Sequence, residues 1–240
     1  MRHLPNLVLV NADMAKLVAE KNKNTIILRI VSAVVLAPAV LWVVFMGGMA
    51  FEMMVALAAI ILVYEWTKMV GRNFWWLVLG GVYISAAIFS IWWLREGSES
   101  GLFYFVWLLV VVWATDIGGY LFGMTIGGPK LAPSISPNKT WSGFIGGILL
   151  ATLGGYGVVM YFSDQEQISN LASVVALGVG MSIVSQLGDL FESKIKRRFG
   201  VKDSGNVIPG HGGLFDRIDG LMAASIFMAL LNGWVGGGVI

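Results

Sequence analysis

Seven long apolar runs dominate this chain: Thr25 to Met46, Met49 to Tyr64, Phe74 to Leu94, Gly101 to Phe122, Gly143 to Phe162, Asn170 to Leu187 and Asp219 to Ile240. Apolar runs of roughly 17 to 25 residues are long enough to cross the ~30 Å hydrocarbon core of a bilayer as helices. A bilayer requires every backbone polar group to be satisfied within its segment or in a closed barrel, and these runs lack the ten-residue alternation of barrel strands. The expected fold is therefore all-α, a polytopic helical membrane protein with about seven transmembrane helices. Composition agrees, because 57% of the residues are hydrophobic and only 12% charged, more apolar surface than a water-soluble domain can hide.

Charge placement gives the orientation. Lys and Arg near span ends stay on the cytoplasmic side. Lys16, Lys21, Lys23 and Arg29 precede or open the first run, Lys68 and Arg72 follow the second, Lys130 and Lys139 follow the fourth, and Lys194 to Arg217 separate the sixth from the seventh. All four groups fall on one side, so the N-terminus is expected in the cytosol and the C-terminus outside. The opposite connections hold only Gly47-Gly48, Arg95 with two glutamates, and Asp164 with Glu166. Residues 1–24 read as a cytosolic amphipathic lead-in, too polar after Leu9 to form a signal-peptide core. Residues 25–100 form an N-terminal set of transmembrane helices, and residues 101–240 a transmembrane domain carrying the chemistry. The net charge of +2 gives no basic face for nucleic acid. The absence of cysteine excludes disulfides, thiolate metal sites and a thiol nucleophile.

The segment from Asp189 to Asp219 holds eleven of the thirty Lys, Arg, Asp and Glu residues. It reads as a basic helix end, a glycine-containing loop, and two carboxylates, Asp216 and Asp219. Three residues apart on a helix, these acids share a face and can hold a hard cation. Acids at a helix start can equally serve the dipole, and a basic run beside a span can equally set topology. Gly210, Gly212 and Gly213 around His211 allow backbone to approach a ligand closely. In the other charged stretch, Asp116 falls within a span, where an ionisable group marks a functional site by default. Lys139 follows Asn138 and belongs to no P-loop, while Thr140, Trp141 and Ser142 suit a cap and interfacial anchor for the next span.

Ser193 to Asp219, SKIKRRFGVKDSGNVIPGHGGLFDRID, resembles the signature of the phosphatidate cytidylyltransferase (CDP-diacylglycerol synthase) family. Thr115 to Gly143, which ends Ser136-Pro137-Asn138-Lys139-Thr140-Trp141-Ser142-Gly143, resembles the family's other charged stretch. Glu65-Trp66 is also similar to the family. Family members usually have eight or nine spans. The resemblance implies a Mg²⁺-dependent attack of a phosphatidate oxygen on the α-phosphorus of CTP, giving CDP-diacylglycerol and pyrophosphate for phospholipid synthesis. It implies catalytic roles for Asp216, Asp219, Lys139, Lys202 and Arg217. Substrate contacts fall to Lys196, Arg197, Ser193, Asp203, His211, Gly212, Gly213, Asp116, Ser136 and Thr140. Asp216, Asp219 and Asp189 become the metal ligands, with a second cation implied beside Mg²⁺.

The implied partners are CTP, phosphatidic acid and membrane lipids, with a homodimer left open, in a bacterial inner membrane with the site facing the cytosol. Two kinds of alternative stand beside this reading. One is another CTP-using lipid enzyme, such as a polyprenol kinase or a cytidylyltransferase for an ether-linked lipid. The other is a secondary transporter, whose marks are broken helices and ionisable residues at the midplane.

Overall fold

The computed structural model describes residues 34–162, 171–208, 210 and 212–235. The lead-in of residues 1–24, the start of the first expected span, and His211 lie outside the described residues. Among the described residues seven helices are seen: α1 (Val34–Met46), α2 (Gly48–Val70), α3 (Phe74–Glu96), α4 (Gly101–Thr125), α5 (Trp141–Phe162), α6 (Leu171–Arg198) and α7 (Phe215–Val235). Each coincides with one of the seven apolar runs. Five of them, α2 to α6, are long and apolar enough to cross a membrane.

Three helix ends extend four or more residues past the apolar runs, all at one end of the bundle. Helix α2 continues past Tyr64 to Val70, α6 past Leu187 to Arg198, and α7 begins at Phe215 rather than Asp219. The runs stop where charges begin, whereas the helices continue because those charges find partners in neighbouring elements, Glu65 in the start of α7 and Lys196 in Asp216. The connection from α4 to α5 adds a small antiparallel hairpin, β1 (Lys130–Ala132) and β2 (Ser136–Thr140), with Lys130 opposite Thr140 and Ala132 opposite Ser136.

Helix α4 is the axis of the bundle. In its most apolar window 56% of residues are buried, against 22% in α2. Its contact with α5 depends on missing side chains. A Cβ on Gly118 would lie 2.4 Å from the Gly146 carbonyl oxygen, and one on Gly143 would lie 2.6 Å from that of Gly119. Without a hydrophobic driving force between helices in lipid, such close backbone approach is a main source of association. The periphery is apolar, with Met49, Trp75, Val82 and Leu153 all well exposed, as expected of a surface facing acyl chains.

Buried apolar side chains form two groups. One joins α1 to α7 through Phe51, Leu108, Val111 and Met228. The second lies under the charged end and holds Leu62, Trp66, Ile84, Ile195 and Phe215. At the opposite end, Arg95 donates from Nε to the Val44 carbonyl at 2.8 Å, and Glu96 Oε1 accepts from Gly48 N at 3.0 Å. This pair secures the α1–α2 turn, because a cation satisfies the last carbonyls of a helix.

Candidate active site

The last turns of α6 carry Asp189, Glu192, Ser193 and Lys196, spaced so that they share one face. Helix α7 brings Asp216 and Asp219 against that face. Two glycines allow the approach: a Cβ on Gly188 would lie 2.6 Å from the Ala223 Cβ, and one on Gly220 would lie 2.5 Å from Ser185 Oγ.

Carboxylate oxygens of Asp189, Glu192 and Asp219 lie within 4.8 Å of one another. Glu192 is buried, its Oε2 accepts from Lys196 Nζ at 2.9 Å, and its Oε1 has no hydrogen-bond partner among the described residues. Three clustered acids with an orphaned buried oxygen repel one another unless they take up protons or a cation joins them, and an all-oxygen donor set suits a hard divalent ion. The residues therefore fit such an ion. Of the three acids expected to bind metal, Asp189 and Asp219 are brought together here.

Asp216 occupies a different place. Its Oδ1 is 2.7 Å from Lys196 Nζ, and its Oδ2 accepts from Ser204 N and Gly213 N, both at 2.9 Å. Glu192 completes the acidic group in its stead. The sequence held one clue to Glu192, its spacing of three from Asp189 on the same helix, but the basic run around it concealed the clue. Lys196, expected to meet a phosphate, is held between Glu192 and Asp216.

A cavity of about 440 Å³ adjoins the acids and is lined by Asp116 and Gly119 of α4, Lys139 and Thr140 of the hairpin, and Gln186 and Asp189 of α6. Lys139 Nζ lies 2.6 Å from Asp189 Oδ2, and Ser193 Oγ donates to Asp189 Oδ1 at 3.2 Å. Asp189 therefore belongs to both the cavity and the acidic group. Thr140 is buried, and its Oγ1 accepts from Gly143 N at 3.1 Å. This is the geometry of an N-cap, so Thr140 serves the start of α5 as well as the cavity wall. Ser136 sits at the far end of β2, opposite Ala132.

Arg197 donates from Nε to the Ile135 carbonyl at 3.4 Å, tying α6 to the hairpin. Lys202 and Asp203 are exposed on the α6–α7 connection, and Arg217 is exposed on the first turn of α7. Gly212 (φ +88°) and Gly213 fit tightly: added Cβ atoms would lie 3.0 Å from Asp216 Oδ2 and 2.0 Å from Ser204 Oγ respectively. Their missing side chains admit protein carboxylate and hydroxyl groups.

Residues 72–234 match the model of the cytidylyltransferase family. A phosphatidate cytidylyltransferase of Brucella suis is 37% identical, over 85% of this chain and 92% of its own length. The chain belongs to the phosphatidate cytidylyltransferase family. The phosphatidate cytidylyltransferase of Rickettsia bellii is 33% identical over 94% of this chain and 99% of its own length. That of Bacillus subtilis is 36% identical over 75% of this chain and 68% of its own. The resemblance read from Ser193–Asp219 and Thr115–Gly143 is thus borne out. The acids and cations of this site lie within the cytidylyltransferase match, whereas Glu65 precedes it.

Proposed function

We propose that this chain transfers the cytidylyl group of CTP to phosphatidate, releasing pyrophosphate and leaving CDP-diacylglycerol in the membrane. The observation that carries the reading is the meeting of an acidic group, Asp189, Glu192 and Asp219, with a Lys139-lined cavity in a member of this family.

Anion repulsion is the main obstacle. CTP brings several negative charges and the phosphatidate phosphate brings more, so positioning and electrostatics carry the catalysis. The attacking phosphatidate oxygen already bears charge, and no side-chain base is required to expose it. Asp189, Glu192 and Asp219 would hold Mg²⁺. When bound, that ion supplies positive charge against the phosphates, and the metal content of the purified protein at saturating Mg²⁺ distinguishes one bound cation from two.

The remaining work falls to the chain itself. Lys139 faces the cavity and balances the departing pyrophosphate. Arg197, Lys202 and Arg217 stand at the same end of the bundle and neutralise triphosphate or lipid phosphate. Ser193 orients Asp189, and the Glu192–Lys196–Asp216 array fixes α6 against α7. Acyl chains lie along the apolar exterior, with the headgroup at the level of the cavity.

Purified protein in detergent should release pyrophosphate only when CTP and phosphatidate are both supplied, with CDP-diacylglycerol identified by mass spectrometry. Pyrophosphate release without phosphatidate would contradict the reading. Lys139→Ala is expected to lower turnover by roughly 10²-fold, the scale of one electrostatic group acting on a transition state. Its melting temperature should move little, because the Lys139–Asp189 pair is partly exposed, at 25% and 35%, and such pairs contribute at most about 1 kcal/mol. Unchanged kinetics would return Lys139 to a purely topological role.

The basic residues gathered at this end support a cytosolic orientation of the site in a bacterial inner membrane, the side from which CTP arrives. Because the chain has no cysteine, introduced ones report the orientation cleanly. In intact spheroplasts a membrane-impermeant maleimide should label Ser98→Cys and leave Asn206→Cys unlabelled until the membrane is opened. The reverse pattern would invert the topology.

A further inference from the structure

From the geometry we infer that Glu65, a residue of α2 just before the span matched by the family model, is the positioning residue that sets where α7 begins and so aims Asp219 at Asp189 and Glu192. The inference rests on the proposed metal-dependent cytidylyl transfer and deepens it. The Glu65 carboxylate is fully buried. Its Oε1 accepts from Leu214 N at 2.9 Å, and its Oε2 accepts from Phe215 N at 2.8 Å and from Ser204 Oγ at 3.2 Å.

The Leu214 and Phe215 amides open α7, where no preceding turn can satisfy them. A cap is normally supplied by the residue just before the helix. Here it comes from a side chain 149 and 150 positions away in sequence. Two oxygens on two successive amides fix both the position and the rotation of the first turn, and the positive end of the helix dipole favours the buried negative charge. The connection is moulded to this carboxylate, because a Cβ on Gly205 would lie 2.6 Å from Oε1 and one on Gly213 would lie 2.7 Å from it.

The contacts continue to the acidic group. Ser204, which gives its hydroxyl to Glu65, gives its backbone N–H to Asp216, and Asp216 pairs with Lys196, which pairs with Glu192. Asp219 stands one turn beyond Phe215. Starting the helix one residue later would rotate its side chains by about 100°, turning Asp219 away from α6. Gln at position 65 would set an NH₂ against an N–H donor, and Asp would be one methylene short, so neither conservative change restores both bonds.

The test uses the full chain in detergent and reads metal binding apart from turnover, by Mn²⁺ titration followed by electron paramagnetic resonance. Glu65→Gln is expected to weaken Mn²⁺ binding by about tenfold or more, the scale for residues that orient metal ligands. The Mg²⁺ concentration for half-maximal turnover should rise by a similar factor, with turnover partly recovered at saturating Mg²⁺. Wild-type Mn²⁺ affinity in a folded Glu65→Gln protein would overturn the inference, as would lost turnover with an unchanged Mg²⁺ requirement. If Glu65→Gln does not fold, Ser204→Ala decides: it keeps the N–H to Asp216 but removes the hydroxyl from Glu65. Mn²⁺ binding about threefold weaker, the scale of one hydrogen bond, supports the inference, and wild-type binding overturns it. A wild-type protein that binds Mn²⁺ but ignores phosphatidate would count against the enzymatic reading alone.

Discussion

Asp219→Asn is expected to reduce cytidylyl transfer by about 10²-fold or more at ordinary Mg²⁺ concentrations, with membrane insertion intact. The amide keeps the shape of the acid but removes its charge, and a hard cation is held mainly by charged oxygens. The estimate follows the scale of single electrostatic groups in transition-state stabilisation. Stability should move the opposite way. Asp219 shares its surroundings with Asp189 and Glu192, all within 4.8 Å, so in metal-free buffer removing one of three like charges relieves repulsion. Asp219→Asn should then melt no lower than the wild type without Mg²⁺ and gain less from added Mg²⁺. Near-normal turnover, or a lower melting temperature without metal, would count against the assignment. Glu192→Gln should behave similarly in turnover but is the less clean test, because Glu192 also pairs with Lys196.

Asp216→Ala should show the contrary pattern, a loss led by stability. The Asp216 side chain is only 8% exposed and faces Lys196 Nζ at 2.7 Å. Its two oxygens also accept the Ser204 and Gly213 amides. Removing Asp216 leaves Lys196 with Glu192 alone and strips the Ser204 and Gly213 amides of their acceptor, and each buried polar group left unsatisfied costs about 1–3 kcal/mol. The melting temperature should fall by several degrees, and added Mg²⁺ should not rescue activity. Asp216→Asn keeps a carbonyl acceptor and should fall between the alanine variant and the wild type. Comparing thermal unfolding of the Asp216 and Asp219 variants with and without Mg²⁺ separates the two roles. A normal melting temperature for Asp216→Ala together with rescue by Mg²⁺ would instead make Asp216 a metal ligand.

This divergence between two acids three residues apart marks what the sequence could convey. All seven helices were legible, because spans impose a long apolar run that few other constraints produce. Their ends were not. Hydropathy fails at Glu65, Asp189 and Asp216, since whether a helix continues through charges depends on partners supplied by other helices. The positions of Asp189, Asp219 and Lys139 at one end followed from motif and topology together. Asp216 and Asp219 were indistinguishable because a D-x-x-D spacing puts both on one face, and only the position of Lys196 separates them.

Glu192 was hidden for a similar reason. Read along the chain it is one acid amid a basic run, and its orphaned Oε1 is a property of tertiary packing. The hairpin at Lys130–Thr140 leaves no strand signal in the sequence, since strands of three and five residues are too short to show alternation. Glycines were legible as a class but not in purpose. Those around His211 suggested room for a ligand, yet Gly213 admits Glu65 and Ser204, and Gly118 and Gly143 admit the backbone of a neighbouring helix.

The central claim, that the nucleotide's α-phosphate joins the lipid, is tested most directly by following label from CTP. Purified protein should be given phosphatidate with CTP labelled either at the α- or at the γ-phosphorus, and lipid and aqueous products separated. The proposed reaction predicts α-label in the lipid fraction in equal amount to the pyrophosphate formed, and all γ-label in pyrophosphate. Label from the γ-position in lipid would reveal a kinase, and substrate movement without CTP consumption would reveal a transporter; either result would contradict cytidylyl transfer.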